Sequence, residues 1–220
     1  MDIHLCIDHL GLNRNYYRLT QSVPPHDFIS WDGPDAQPTQ EELEDADEII
    51  PSAIIYTRKR CGRYKARLVV LGNRQAYGTD ECNYAPTISH GSNKFILVNA
   101  ASRGDFIDQV DISNAFVQAS IGDSSILIRM PKEWETGERK HDIKRLLKAL
   151  YGLRIAPKRW YQDFSGYLIS MGWTRNEREP GLFRRGDCYL TMYVDDVIIA
   201  GPSEQDVAKA RVEILGRFKG

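Results

Sequence analysis

Apolar and polar positions along the chain follow two periods, and both become clear only after about residue 50. Short apolar runs predict strands at 54–56, 67–71, 106–112 and 126–130. The run at 191–200 consists of two apolar stretches that meet at Asp195-Asp196. This arrangement predicts a β-hairpin with the acidic pair at its tip.

Helical spacing of apolar residues occurs in four further segments. One helix is predicted over 92–103, with Ser92 as its N-cap, and another through 143–150. A third begins at Pro157, and a fourth follows Ser203. The apolar stripe of the third consists of Trp160, Phe164, Leu168 and Met171. The mixed order of elements predicts an α+β fold in which helices lie on an antiparallel sheet.

The first fifty residues differ from the rest in charge and composition. They contain two basic and eleven acidic residues, a net charge of −9, whereas residues 51–220 carry +8. We expect 1–50 to be an acidic, proline-containing arm with one short helix near 40–48, and 51–220 to be the folded domain. The stretch from 51 to 79 is basic without a single acid, which permits nucleic-acid contact, although a solvated face is the commoner role of such a run.

Membrane and disulfide-rich classes do not fit this composition. No apolar run approaches the roughly 20 residues of a membrane helix, and the N-terminus lacks the pattern of a signal peptide. The four cysteines are scattered and form no C-x-x-C pair, which argues against a zinc site and a disulfide scaffold. We therefore expect an intracellular, cytoplasmic protein with no membrane partner.

Three acidic residues are the candidates for chemistry. Asp195 and Asp196 lie side by side, which is unfavourable unless a cation is bound, and Asp-Asp is a poor choice for a hairpin turn. Asp111 lies near the end of a predicted strand, so three carboxylates converge if that strand pairs beside the hairpin. Such oxygen ligands suit Mg²⁺, and two ions would stabilise the attacking and leaving oxygens of a phosphoryl transfer. A solvated turn and a helix cap are the structural alternatives.

Four stretches resemble, in order and spacing, the reverse transcriptases of copia-type retrotransposons. They are Arg-Tyr-Lys-Ala-Arg-Leu-Val at 63–69, Gln-Val-Asp-Ile-Ser-Asn-Ala-Phe at 109–116, Leu-Lys-Ala-Leu-Tyr-Gly-Leu at 147–153 and Tyr-Val-Asp-Asp at 193–196. The resemblance covers about residues 51–218 and implies the fingers and palm of a right-hand polymerase, with an antiparallel palm sheet backed by helices. It implies an RNA-directed DNA polymerase that transfers a nucleotide from a dNTP to a primer 3′-hydroxyl on an RNA or DNA template.

By resemblance, Asp111, Asp195 and Asp196 are the catalytic acids and the ligands of two Mg²⁺ ions, for which Mn²⁺ is a substitute. Phe116 would lie under the sugar of the incoming nucleotide and exclude a 2′-hydroxyl, although core packing is its alternative role. The remaining residues implied to bind the nucleotide are Lys65, Arg67, Tyr151 and Gly152. Those implied to contact template and primer are Arg154, Lys158, Arg159 and Tyr193. For the three cations among them, a solvated basic helix face is about as good an explanation.

The resemblance also indicates what the chain lacks. Members of the family continue into a thumb and an RNase H domain, so we expect both to be absent here and to be supplied, if at all, by the missing region or another polyprotein chain. The family further implies a virus-like particle. The alternative function is a catalytically silent, truncated remnant that keeps the fold and some nucleic-acid binding. An unrelated metal-dependent phosphotransferase is disfavoured because the sequence has no G-x-G-x-x-G and no Walker A motif.

Overall fold

The computed structural model describes residues 37–46, 48–58, 60–62, 64–75, 83–122, 126–131 and 143–219. Most of the predicted acidic arm lies outside these residues. The chain divides into two compact units, the first comprising Met1–Glu81 and Ser120–Ala156 and the second Cys82–Ala119 and Pro157–Gly220. Both units combine helices or turns with mainly antiparallel strands, as the sequence pattern predicts.

In chain order, the elements are α1 (Gln40–Glu44), β1 (Ile49–Arg58), β2 (Tyr64–Val70), a 3₁₀ turn (Gly72–Arg74), α2 (His90–Arg103), β3 (Phe106–Asp111), α3 (Ala115–Gln118), β4 (Leu127–Arg129), β5 (Ile143–Arg145), α4 (Ala156–Ser170), β6 (Thr174–Arg175), β7 (Leu182–Arg185), β8 (Cys188–Tyr193), β9 (Asp196–Gly201) and α5 (Glu204–Arg217).

The first unit is built on a four-stranded sheet of order β2-β1-β4-β5. β1 and β2 form a long antiparallel pair, whereas β1 and β4 run parallel. β1 begins at Ile49 and passes through Pro51, so the boundary expected near residue 50 falls inside an element. Proline is tolerated there because its carbonyl still accepts a hydrogen bond, from Leu71 N–H at 2.8 Å, while its nitrogen needs no partner.

The prediction of a helix through residues 143–150 is wrong. Residues Ile143–Arg145 form β5, which pairs antiparallel with β4. The segment that follows is loop, although Leu146 and Leu150 are buried. A short apolar run carries too few residues for its period to distinguish strand from helix, and pairing with β4 decides between them.

The second unit contains a five-stranded sheet of order β3-β9-β8-β7-β6, and every neighbouring pair in it is antiparallel. α4 follows the predicted apolar stripe, with Trp160, Phe164 and Leu168 fully buried. α5 begins where Ser203 accepts a hydrogen bond from Asp206 N–H, as predicted, and packs against β3 and β9. This sheet and the helices packed on it match the predicted α+β class.

α2 begins earlier than predicted. Its N-cap is Ser89 rather than Ser92, because the Ser89 hydroxyl accepts the Ser92 N–H at 3.1 Å. The helix ends at Arg103 as predicted, with Gly104 in the left-handed conformation. Within the described ranges, no helix combines the length and the apolar character that crossing a bilayer requires.

Candidate active site

The hairpin of β8 and β9 carries two of the three predicted acids. Tyr193 pairs with Asp196, so the two central residues of the turn are Val194 and Asp195. Asp196 is therefore the first residue of β9 and not a turn residue, which corrects the expectation that both acids form the tip. Asp196 is exposed and Asp195 is half-buried.

Asp111 ends β3, the strand beside this hairpin. In the antiparallel register of β3 and β9, Asp111 lies directly opposite Asp196. The backbone continues the pairing past the strand end, since Ile112 N–H donates to the Asp195 carbonyl at 2.9 Å. The structure thus brings all three predicted acids to one end of one sheet, which meets the condition that the sequence left open.

The donor set suits a hard divalent cation. Directly opposed residues of an antiparallel pair have Cβ atoms about 4.5–5.5 Å apart, and like charges in that position repel. In the part of the chain that the structure describes, no three His, Cys, Asp or Glu side chains are arranged as a ready-made metal cage. Mg²⁺ is commonly held by one or two carboxylates together with substrate phosphates, so the paired acids fit that mode of binding without such a cage.

A glutamine that the sequence reasoning did not single out contacts this site. Gln109 precedes Asp111 by two residues, so the two side chains lie on the same face of β3. Its side-chain amide donates to Asp196 Oδ1 at 3.2 Å. Alternation along β3 was a usable signal for it, because residues 109 and 111 share a face.

The opposite face of β3 is held by an ion pair. Arg211 of α5 donates through the same nitrogen to both carboxylate oxygens of Asp108, at 2.8 and 3.0 Å. This contact between distant parts of the sequence anchors β3 on the helix behind it. It therefore supports the strand that ends at Asp111.

Phe116 lies in α3, the short helix in the segment that follows Asp111, and its side chain is half-buried. Residues near the C-terminus of the described chain hold this loop: Ser113 N–H donates to the Lys219 carbonyl at 2.9 Å, and Lys219 N–H donates to Gln118 Oε1 at 2.8 Å. Asn114 is buried and adopts a left-handed backbone conformation, with φ of 51°. The loop is thus closely tied within the second unit.

Three of the predicted nucleotide-binding residues come together in the first unit. The guanidinium of Arg67 lies over the Tyr151 ring, 5.9 Å from its centroid, and Val70 N–H donates to the Tyr151 carbonyl at 2.7 Å. Gly152 adopts φ of 85°, and a Cβ there would collide with the carbonyl of Val70. Glycine is therefore required by the close approach of β2, and its predicted contact with a nucleotide stays a prediction. Lys65 lies in β2 opposite Thr57.

The four predicted template contacts have different surroundings. Arg154 is half-buried, and its Nε donates to the Gly72 carbonyl at 2.9 Å within the first unit. In the second unit, Lys158 and Arg159 are half-buried in the first turns of α4, and Tyr193 is 56% exposed beside the acids. Of the four, Tyr193 is the one that the structure brings next to the paired carboxylates.

Comparison with known proteins identifies the family of the chain. Residues 42–219 match the family model described as reverse transcriptase (RNA-dependent DNA polymerase). The chain is 35% identical over 157 residues to the retrovirus-related Pol polyprotein from transposon RE1 of Arabidopsis thaliana, a match covering 67% of this chain and 11% of that protein. It is 32% identical over 162 residues to the polyprotein from transposon TNT 1-94 of Nicotiana tabacum, covering 71% of this chain and 12% of that protein.

A yeast relative and a solved structure also match. The transposon Ty1-DR5 Gag-Pol polyprotein of Saccharomyces cerevisiae is 31% identical over 157 residues, covering 70% of this chain and 9% of that protein. A truncated apo telomerase from Candida tropicalis aligns with a TM-score of 0.42 and 9% identity, over 74% of this chain and 46% of that chain. The chain spans roughly a tenth of the length of the polyproteins that it matches.

The chain belongs to the reverse transcriptase (RNA-dependent DNA polymerase) family, and its relatives are retrotransposon polyproteins. The mixed α and β composition with mainly antiparallel strand pairs is the fold class predicted from the sequence. The family is that predicted from the four motifs.

Proposed function

We propose that this chain is a polymerase core that transfers a deoxynucleotide from a dNTP to a primer 3′-hydroxyl on an RNA or DNA template. The observation that carries the proposal is the register of β3 and β9, which sets Asp111 opposite Asp196 with Asp195 in the adjoining turn. A carboxylate pair facing across two strands is costly without a cation, and the family makes nucleotide phosphates the natural co-ligands.

Asp111, Asp195 and Asp196 would hold Mg²⁺ ions, with Mn²⁺ as a substitute. When bound, the metal neutralises charge on the attacking and leaving oxygens of an in-line displacement. In that displacement, the primer 3′-hydroxyl gives its proton to water while its oxygen forms a bond to the α-phosphorus, the bond from the α-phosphorus to the oxygen bridging to the β-phosphate breaks, and pyrophosphate leaves. The contribution of the protein is to hold the carboxylates on a rigid strand pair, since positioning and charge stabilisation carry such reactions.

The cations of the first unit would bind the triphosphate. Arg67 is held against Tyr151, so its guanidinium is oriented before a ligand arrives. A planar guanidinium makes paired hydrogen bonds to phosphate oxygens, and Lys65 on the same strand would add a second positive charge. Tyr151 and Gly152 would line the same pocket, and Tyr193, Arg154, Lys158 and Arg159 would contact template and primer.

Primer extension on poly(rA)·oligo(dT) with Mg²⁺ tests the proposal. We expect Asp111→Asn and Asp195→Asn each to lower dTTP incorporation by roughly a hundredfold or more while leaving the circular dichroism spectrum unchanged. Asp187→Asn is the matched control, because Asp187 is an exposed acid in the turn between β7 and β8. Incorporation that survives in both acid variants would overturn the assignment. A folded wild-type chain that incorporates nothing would favour the silent-remnant alternative.

The same assay tests Phe116. If its ring excludes a 2′-hydroxyl, Phe116→Ala raises UTP incorporation relative to dTTP, because the added space removes the clash. An unchanged ratio of UTP to dTTP incorporation would show that Phe116 acts only in core packing.

A further inference from the structure

Val194, in the turn that precedes the paired acids, has an unusual backbone. Its φ is 58°, in the left-handed region that β-branched residues rarely adopt. Asp195, the other central residue of the turn, is not in the positive-φ region. Positive φ at the first central position alone is the pattern of a type II′ turn, where glycine is preferred. Such a conformation persists only where surrounding contacts hold it.

The contact that holds this turn comes from Trp160. The indole Nε1–H of Trp160 donates to the Val194 carbonyl at 2.7 Å. That carbonyl belongs to the peptide group joining Val194 to Asp195. The next carbonyl, of Asp195, accepts the N–H of Ile112 at 2.9 Å. Both carbonyls at the centre of the turn are therefore bonded to groups outside the hairpin.

Trp160 is itself immobilised. It is 1% exposed, and its ring lies 5.2 Å from the rings of both Phe164 and Phe218, centroid to centroid. The Phe218 contact is edge-on, at 82° between ring planes. Close packing of three aromatic rings leaves the indole one orientation, so the hydrogen-bond donor is fixed in space.

We propose that Trp160 is a positioning residue for the catalytic hairpin. By bonding the Val194 carbonyl, it selects the turn in which Asp195 and Asp196 lie beside the end of β3. Flipping the Val194–Asp195 peptide would exchange type II′ for type I′ geometry and would force Asp195 to positive φ. The indole opposes that flip, because the carbonyl would turn away from its donor. The consequence for catalysis rests on the proposed function, whereas the consequence for the turn does not.

The test compares Trp160→Phe with Tyr161→Phe in the full chain. Tyr161 is the matched control, since it is the next residue of α4, is 7% exposed, and donates through its hydroxyl to a different backbone carbonyl, that of Pro180, at 3.0 Å. Both variants lose a buried hydrogen bond to a backbone carbonyl, and Tyr161→Phe also loses the longer one that its hydroxyl accepts from Arg175 Nη1 at 3.4 Å. Only Trp160→Phe loses a hydrogen bond at the turn.

Two of the three readouts are independent of polymerase activity. Amide hydrogen exchange of residues 193–197 should rise about five- to tenfold in Trp160→Phe, the size of one lost hydrogen bond, and should stay near wild type in Tyr161→Phe. Mn²⁺ affinity, measured by electron paramagnetic resonance, should fall by a similar factor in Trp160→Phe alone. In primer extension, Trp160→Phe should lower kcat and leave the KM for dTTP within about twofold.

The outcomes separate this proposal from the proposed function. Equal hairpin exchange and equal Mn²⁺ affinity in the two variants would overturn the positioning role. If hairpin exchange and Mn²⁺ affinity change in Trp160→Phe alone while the wild-type chain shows no incorporation, the positioning role is upheld and the polymerase proposal is refuted. If Trp160→Phe fails to fold, 3-benzothienylalanine at position 160 keeps the ring shape and removes only the N–H, so hairpin exchange in that protein decides.

Discussion

Glu179 shows how a single side chain can organise the start of a helix. Its carboxylate accepts the Ser92 hydroxyl at 2.6 Å and the Ser89 N–H at 3.2 Å, at the N-terminus of α2. The hydrogen bond from Ser92, followed by those from Ser89, lowers the pKa of Glu179 below its ordinary value. A negative charge at this end of a helix is also favoured by the helix dipole.

Stability linked to Glu179 should therefore depend on pH. Because the folded pKa is the lower one, the charged carboxylate stabilises the fold above its unfolded pKa of about 4.3, and this contribution is lost as pH falls through the folded pKa. We expect Glu179→Gln to be less stable than wild type near pH 7, with the difference shrinking below about pH 4. Thermal unfolding at several pH values measures it.

Glu177→Gln is the control for this prediction. Glu177 is exposed on the same loop, so its replacement shows what the loss of a charge away from the start of α2 does to unfolding. A constant stability difference between wild type and Glu179→Gln across the acid range would contradict the linkage.

Among the elements, the loop after β5 depends on one glycine. Gly152 combines φ of 85° with backbone contact against β2, so its conformation and its lack of a side chain are both needed. The hydrogen bond from Val70 N–H to the Tyr151 carbonyl forms at the same place. Close approach of two backbones therefore sets where Tyr151 meets Arg67.

Replacing this glycine should separate the two requirements. Gly152→Ala should destabilise the chain by more than about 2 kcal/mol, because strain at positive φ adds to a collision with the Val70 carbonyl. Gly62→Ala is matched in conformation, with φ of 82°, but a Cβ there meets nothing within 4 Å. We expect Gly62→Ala to cost about 1 kcal/mol. Urea unfolding measures both, and equal losses would show that backbone strain alone accounts for the glycine.

Across the whole molecule, charge is distributed unevenly along the chain. Residues 51–220 carry a net +8, and the predicted phosphate-binding cations occur in both compact units. Nucleic-acid binding dominated by phosphate contacts weakens steeply with salt, because bound counterions are released. The charge therefore predicts how binding responds to ionic strength, independently of whether the chain is active.

Template–primer affinity should fall with rising salt, with a slope of log affinity against log salt near −0.9 for each phosphate contact on duplex. Replacing Lys158 and Arg159 by Gln should make that slope shallower by about one to two units if both contact phosphate. Lys209→Gln is the control, since Lys209 is an exposed cation on α5, which carries none of the predicted contacts. A slope that is the same in all three proteins would exclude Lys158 and Arg159 from the interface.

Local sequence signals were sufficient for the elements whose stabilising contacts are themselves local. The stripe of α4 and the Ser203 cap of α5 repeat within a few residues, so their period and chemistry identify a helix without further information. The two apolar runs of the β8–β9 hairpin did the same for a strand pair. The segment 143–150 has no such redundancy, and its partner strand β4 decided its conformation.

The sequence by itself determined the family, because four of its motifs occur in order and at compatible spacing, and it supplied the three acids as candidates. Only the tertiary structure decided that Asp111 lies opposite Asp196, that the turn contains Val194 and Asp195, and that Trp160 bonds the peptide between them. Each of these depends on residues far apart in the sequence, and no local pattern encodes strand register or the donor that reaches a turn from a neighbouring helix. The acids are readable from the chain, whereas their arrangement is a property of the folded sheet.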